Sequence, residues 1–202
     1  AGIPHDNSIG LYTVSGGVGA LMADAASQQG MAVTELSASA QATLRDWVPF
    51  CAPRNPVDIT GQITNDPSLI ERSAALMLAD RPFGAWMGCM AAAGASPAFW
   101  PVLTKLVASL KEQFPQTVLA ISTLLSPARR AELEAMGCLV FTDPSAGINT
   151  LASLAKLRQS FDTTASPDTA STPALTPVNL PSSPLSESQS LAMLKAAGIP
   201  VA

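Results

Sequence analysis

One histidine, one tyrosine and three cysteines stand in 202 residues, and only 13% of the chain is charged. Each scarcity removes a class of function. Cys51, Cys89 and Cys138 are odd in number, far apart and without metal-ligand spacing, so reduced thiols are expected rather than a disulfide framework, which points to the cytosol. The only histidine, His5, sits in "GIPHDNSIG" with no partner evident nearby and reads as a solvated residue rather than a general base. Lys and Arg are scattered and the net charge is −4, which leaves no electrostatic footprint for nucleic acid or an anionic membrane surface. No apolar run reaches the roughly 18 residues that cross a bilayer. The N-terminus carries no signal-peptide pattern and begins abruptly, as expected of a segment taken from a longer chain. No Gly-Lys-Ser or Gly-Lys-Thr occurs, which excludes a nucleoside-triphosphate P-loop. Aromatics make up 5%, too few for the ring-lined loops of a flavin site.

What remains is an apolar chain, 48% hydrophobic, cut into short runs by Gly, Pro and charges. Runs suited to buried strands occur at Ile9 to Ser15, Ala32 to Leu36, Ala85 to Ala92, Thr117 to Thr123 and Leu139 to Thr142. Helical periodicity lies between them, as in Val18, Leu21, Met22 and Ala25, in Ala40, Leu44, Trp47 and Val48, and in Phe99, Leu103, Leu106, Val107 and Leu110. Four pairs read as helix starts: Asp66-Pro67, Ser96-Pro97, Ser126-Pro127 and Asp143-Pro144. The first residue of each offers an oxygen to an orphan N–H, and proline at the first helical position gives up a donor that had no partner. Alternation of this kind predicts an α/β fold. The expected form is a flavodoxin-like, doubly wound sheet of about five mainly parallel strands, with helices on both faces and the ligand end at the strands' carboxyl termini. Trp47, Trp86 and Trp100 fall in apolar patterns and are expected in the core.

The alternation stops near Phe161. Residues 1–161 are expected to form this domain, and 162–184, rich in Pro, Ser and Thr, a linker. Residues 185–202 read as the first helix of a further domain, with Ser186 and Gln189 in a capping box and Gly198 past the helix end.

The stretch "TVSGGVGALMADAASQQG" carries the strongest site signal. Ser15, Gly16, Gly17 and Gly19 stand between an expected strand and an expected helix. There, backbone N–H groups and the positive end of the helix dipole favour an anion. A tight turn accounts for the same glycines equally well. As a dinucleotide fingerprint the match is poor, because Met22 occupies the third glycine's place; Glu35 is the one residue in its favour. A phosphorelay receiver needs an acidic pair where Ser15, Gly16 and Gly17 stand, and Ser15 lacks a nucleophile elbow.

The segment from Thr13 to Pro49, with Gly16, Gly17 and Gly19, then Ala23 and Asp24, followed by "RNPVDITG" with Asn55, Pro56 and Asp58, resembles the third α/β subdomain of NDP-forming acyl-CoA synthetases, relatives of succinyl-CoA synthetase. The closing "LSESQSLAMLKAAGIPV" is similar to the opening helix of the ATP-grasp domain that follows in fused members. The resemblance implies a parent enzyme that joins a carboxylic acid to coenzyme A with ATP and magnesium, through an acyl phosphate and a phosphohistidine. That histidine belongs to a preceding subdomain, in a Ser-His-Thr-Gly type motif absent here, so this chain alone is expected to be inactive and to bind no cofactor itself. The implied partners are the CoA-binding, phosphohistidine and ATP-grasp domains of the same protein, with a homo-oligomer left open. Candidate phosphate-binding residues are Ser15, Gly16, Gly17 and Gly19. Candidates facing a neighbouring domain or the active centre are Asp24, Asn55, Asp58 and Gly94, with capping of backbone N–H groups the competing role for Asn55 and Asp58. In place of the relatives' second glycine-rich turn this chain has "AAAGASPAFW", with Gly94 as its single glycine. A non-catalytic regulatory or scaffold domain, such as one in a multidomain protein acetyltransferase, is the alternative.

Overall fold

The computed structural model describes residues 2–165, 181 and 183–199, with backbone alone at 62, 63 and 162–165. The chain divides into two units, 1–162 and 163–202. Most of the linker expected over 162–184 lies outside the described residues.

The first unit is built on five parallel strands: β1 (Ile9–Thr13), β2 (Val57–Asp58), β3 (Ala85–Cys89), β4 (Val118–Ser122) and β5 (Leu139–Phe141), in the order β2-β1-β3-β4-β5. Six helices wind around them: α1 (Gly16–Gln28), α2 (Ala38–Trp47), α3 (Ser68–Asp80), α4 (Trp100–Gln113), α5 (Pro127–Ala135) and α6 (Pro144–Ala165). Strand residues alternate between two cores, as the two-residue side-chain period requires. Ile9, Leu11, Ala85, Met87, Val118 and Ala120 pack on Met22 and Ala26 of α1 and Ile148, Leu151 and Ala152 of α6. Tyr12, Trp86, Leu119, Ile121 and Val140 pack on the opposite face, against α2, α3, α4 and Leu133 of α5. Both sheet faces are therefore covered, which is why the strands read as continuous apolar runs.

One expected strand does not form. Along Ala32 to Leu36 only Ala32 bridges the sheet, to Ser8, and the second strand is Val57–Asp58 beside Tyr12 and Thr13. The cause is the buried side chain of Asn55, which takes the place of strand-to-strand bonds. Its Oδ1 accepts from the Leu11 N–H at 2.9 Å, while its Nδ2 donates to the carbonyls of Ile9 at 3.0 Å and Thr34 at 2.9 Å. Those three bonds cross the gap between β1 and Thr34 that a backbone ladder would otherwise fill. The Asn55–Pro56 peptide is cis.

Three of the four expected helix starts are close to the observed ones. Ser126 accepts from the Arg129 N–H, Asp143 from Ser145 and Asp66 from Ser68, with α3 itself beginning at Ser68. The fourth is displaced: α4 begins at Trp100, beside Pro101, and Ser96 precedes it by a turn. Two prolines compete for that start, and Pro101 is tolerated only in the first turn. Of the tryptophans, Trp86 is fully buried, whereas Trp47 and Trp100 are half-buried beneath the guanidiniums of Arg72 and Arg129.

The second unit contains α7 (Glu187–Ala196). Its capping box closes through Ser186 and Gln189, and Gly198 follows the helix at φ +80°. That positive φ is where glycine is needed.

Candidate functional site

The β1–α1 turn is assembled at the carboxyl end of the sheet. Ser15 is extended, with φ −150° and ψ 119°, and its N–H donates to Thr13 Oγ1 at 3.1 Å. Its hydroxyl caps nothing in α1, and the first turn has no acidic residue. The first intrahelical bond runs from the Gly19 N–H to the Ser15 carbonyl at 3.0 Å. The earlier amides of α1 therefore lie at an exposed, uncapped positive helix end.

The three glycines differ in what they allow. A Cβ at Gly17 would meet nothing within 4 Å. One at Gly16 would lie 3.3 Å from Asp58 Oδ2, and one at Gly19 would lie 3.3 Å from the Thr13 methyl and 3.5 Å from Pro56. Gly19 thus serves the close seating of α1 on the "NPVD" turn, Gly16 faces Asp58, and Gly17 opens outward. Asp58 also holds its own turn, with Oδ1 accepting from the Thr60 N–H at 2.8 Å, where Thr60 sits in the left-handed region at φ 59°.

The remaining candidates separate. Asn55 is buried in the β1 edge, as described, where its Oδ1 accepts from the Leu11 backbone N–H. Asp24 is exposed, eight residues into α1 and so about 12 Å along its axis from Gly16. Gly94 is buried, and its N–H is already engaged by Thr123 Oγ1 at 3.0 Å. His5 is exposed, 3.5 Å from the neighbouring Asp6 carboxylate.

A groove that sequence reasoning did not find runs beside the α1 start. It encloses about 460 Å³ between Val18 and Leu21 of α1, Cys89 at the end of β3 and Ala91 after it, and Thr123 and Leu124 after β4. It lies where connections leave β1 and β3 toward opposite faces of the sheet, the position at which doubly wound folds bind ligands. Its residues come from separate elements, so no local pattern marks them. The only sequence signal is a pair of leucines, Leu21 and Leu124, that the fold leaves 49% and 53% exposed. Ala91, on its rim, holds φ 46°, left-handed for a residue with a Cβ.

The displaced protonation equilibria lie on the face away from α1. Burial raises the Tyr12 phenol, with Ser73 opposing and Asp58 adding, and it pushes the Cys138 thiol up to about 12. Burial also raises Cys51, against the nearby Arg45 charge. Among the described residues no three His, Cys, Asp or Glu side chains converge as metal ligands, and no helix is long and apolar enough to cross a membrane.

The chain is similar to the structure of PH0766 from Pyrococcus horikoshii OT3, with 18% identity, a TM-score of 0.64, and 78% of this chain and 37% of that one covered. It is also similar to the dinucleotide-forming acetyl-coenzyme A synthetase 1 of Ca. Korarchaeum cryptofilum, apo and in complex with phosphate and ADP. For both forms the identity is 17%, the TM-score 0.65, and the coverage 81% of this chain and 36% of that one. At those identities the likeness is one of fold, and this chain spans little more than a third of the length of each. No curated protein matches it. A model of the Ligase-CoA domain matches residues 9–141, in agreement with the resemblance to NDP-forming acyl-CoA synthetases carried by the "SGGVG" and "NPVD" motifs. With more than half of its length so matched, the chain belongs to the Ligase-CoA domain family.

Proposed function

We propose that this chain is one domain of an NDP-forming acid–CoA ligase and that it packs against the phosphohistidine-bearing domain of the same protein. In that role the open α1 start at Ser15, Gly16 and Gly17 cradles the histidine-borne phosphate, and Gly19, its N–H bonded to the Ser15 carbonyl, seats α1 behind it. The observation that carries the reading is the uncapped, exposed start of α1, whose first amides meet no side-chain acceptor and whose Gly17 opens onto free space. An anion placed there gains several backbone donors and the helix dipole at once. The residues fit a phosphate: no carboxylate occupies the first turn, although Asp58 Oδ2 stands beside Gly16 and narrows the approach to the Gly17 side.

The adjoining groove supplies the docking face, with exposed Leu21 and Leu124 as its apolar contacts. Asp24, farther along α1, faces solvent or the same neighbour. ATP, magnesium and coenzyme A are held by the other domains of the parent, and ATP with the acid and coenzyme A supplies the phosphoryl and acyl chemistry. This chain contributes fixed donors and a surface, without a proton-transfer group at the α1 start. Such an enzyme acts in the cytoplasm.

The scaffold reading has one observation on its side. The Gly94 loop, where relatives carry their second glycine-rich turn, is closed down, with its glycine amide bonded internally. One experiment separates the two readings. The longer protein carrying this chain is incubated with ATP, magnesium, coenzyme A and a panel of carboxylic acids, and acid-labile phosphoprotein and acyl-CoA are measured. The ligase reading expects both products and their loss in Gly17→Leu. Normal phosphorylation in Gly17→Leu removes the cradle, and no phosphoprotein from the unaltered protein leaves the scaffold.

A further inference from the structure

Arg129 stands in the first turn of α5 and does not line the groove, yet it ties together the pieces that form the groove's wall. Its Nη1 donates to the Gly94 carbonyl at 2.7 Å, and its guanidinium lies 5.0 Å from the centre of the Trp100 ring, at the start of α4. Among the described residues no carboxylate pairs with it. The cation is thus spent on one carbonyl and one ring rather than on surface charge.

The loop that it holds, residues 91–95, is fastened from its other side by Thr123. Thr123 Oγ1 accepts from the Gly94 N–H at 3.0 Å and donates to the Ala91 carbonyl at 2.9 Å, and the Leu124 N–H donates to that same carbonyl at 3.0 Å. Both peptide groups of Gly94 are therefore engaged, one by Thr123 and one by Arg129. The seat is close: a Cβ at Gly94 would come within 2.5 Å of Leu125, 2.7 Å of Thr123 Oγ1 and 2.8 Å of the Leu124 carbonyl. Ala91 lies in a left-handed conformation that an alanine leaves unless its surroundings hold it there. Ala91, Ala92, Thr123 and Leu124 form one wall of the groove, which Cys89, 6% exposed, also lines.

We propose that Arg129 is a positioning residue for the groove: from outside it, the guanidinium latches the 91–95 loop and so sets the shape of the wall. What the groove docks rests on the function proposed above, whereas the latch does not. Its test can therefore fail or succeed independently of any ligase activity.

Cys89 reports the wall's opening, and Cys138, 1% exposed in the opposite core, reports loosening of the whole domain. Thiol labelling of the 202-residue chain by a maleimide, followed residue by residue by mass spectrometry, compares the unaltered protein with R129A, R129K, T123V and T123S. Labelling of a buried thiol follows the fraction of time its surroundings are open. The latch predicts that R129A and T123V speed labelling of Cys89 about ten-fold and leave Cys138 unchanged. R129K, which keeps a cationic donor without the planar stack, falls between, and T123S, which keeps the hydroxyl, matches the unaltered protein. Cys89 unchanged in R129A overturns the proposal. So does a parallel rise at Cys89 and Cys138, because that outcome makes Arg129 a contributor to overall stability and not a latch.

Discussion

Asn55 shows how one side chain can replace a length of strand. It satisfies the backbone of Ile9, Leu11 and Thr34 from a buried position, so truncation leaves one donor and two acceptors without partners. Asn55→Ala is expected to cost about 2–4 kcal/mol, read by urea unfolding. Asn55→Asp does not restore it, because the carboxylate keeps the acceptor for Leu11 but loses both donated bonds and buries a charge. At Ala91 the opposite sign applies. Glycine adopts φ 46° without the Cβ penalty, so Ala91→Gly is expected to gain about 0.5–1 kcal/mol after its own entropic cost. The thermal midpoint of the two variants should therefore move in opposite directions. The partners of Asn55 and the strain at Ala91 were not legible in the sequence. Asn55 read as a cap or a site residue because asparagine favours turns, and its bonding to a distant strand exists only once β1 and residue 34 are neighbours.

At the scale of elements, α1 carries the sharpest opposition between stability and the proposed role. Ser15→Asp supplies the missing cap and a charge that suits the dipole, worth about 0.5–1 kcal/mol. Gly17→Leu replaces a helical glycine in open space and gains about 1 kcal/mol of helix propensity. Both variants should melt higher, yet in the longer protein both should lower phosphohistidine formation, since each fills or charges the anion's place. A loss of phosphorylation together with a lower melting temperature would mean misfolding and not an occupied cradle. Between α3 and α4 the Glu71 carboxylate sits 2.7 Å from Lys105 Nζ, and hydrogen bonds from Lys105 and then Ser109 hold its pKa below the usual carboxylate value. A carboxyl depressed in the fold contributes stability above its unfolded pKa and loses it as pH falls through the folded one. Lys105 is 73% exposed, so the contribution stays below about 1 kcal/mol. In Glu71→Gln the acid limb of the stability curve should flatten by no more than that amount.

The whole molecule shows its pH limit on the alkaline side. Burial raises both the Tyr12 phenol and the Cys138 thiol, the latter to about 12. A group that is harder to ionise in the fold contributes stability that is complete below its unfolded pKa, about 8.5 for a thiol and about 10 for a phenol, and is lost as pH rises through the folded value. Unfolding midpoints in urea should accordingly hold steady from neutral pH to about 8 and fall from about 9 upward. The variant Tyr12→Phe keeps the ring against Trp86, and Ser73 still donates to the Leu69 carbonyl, so part of the alkaline fall should disappear. An unchanged fall in that variant would assign it to other groups.

The alternation of strands and helices outside residues 32–58, the covered sheet faces and the starts of α1, α5, α6 and α7 were present in the sequence, because they rest on periodicity and capping within a few residues. The family was present too, in glycines and an Asn-Pro-x-Asp whose types are constrained by a turn and a close packing contact. Tertiary structure alone decided the edge strand, the groove and the Arg129 latch. Each joins residues that are far apart in sequence, such as Asn55 with Leu11 or Arg129 with Gly94. A pattern confined to one element cannot encode such a pairing, since the partners become neighbours only when the sheet has brought its carboxyl ends together.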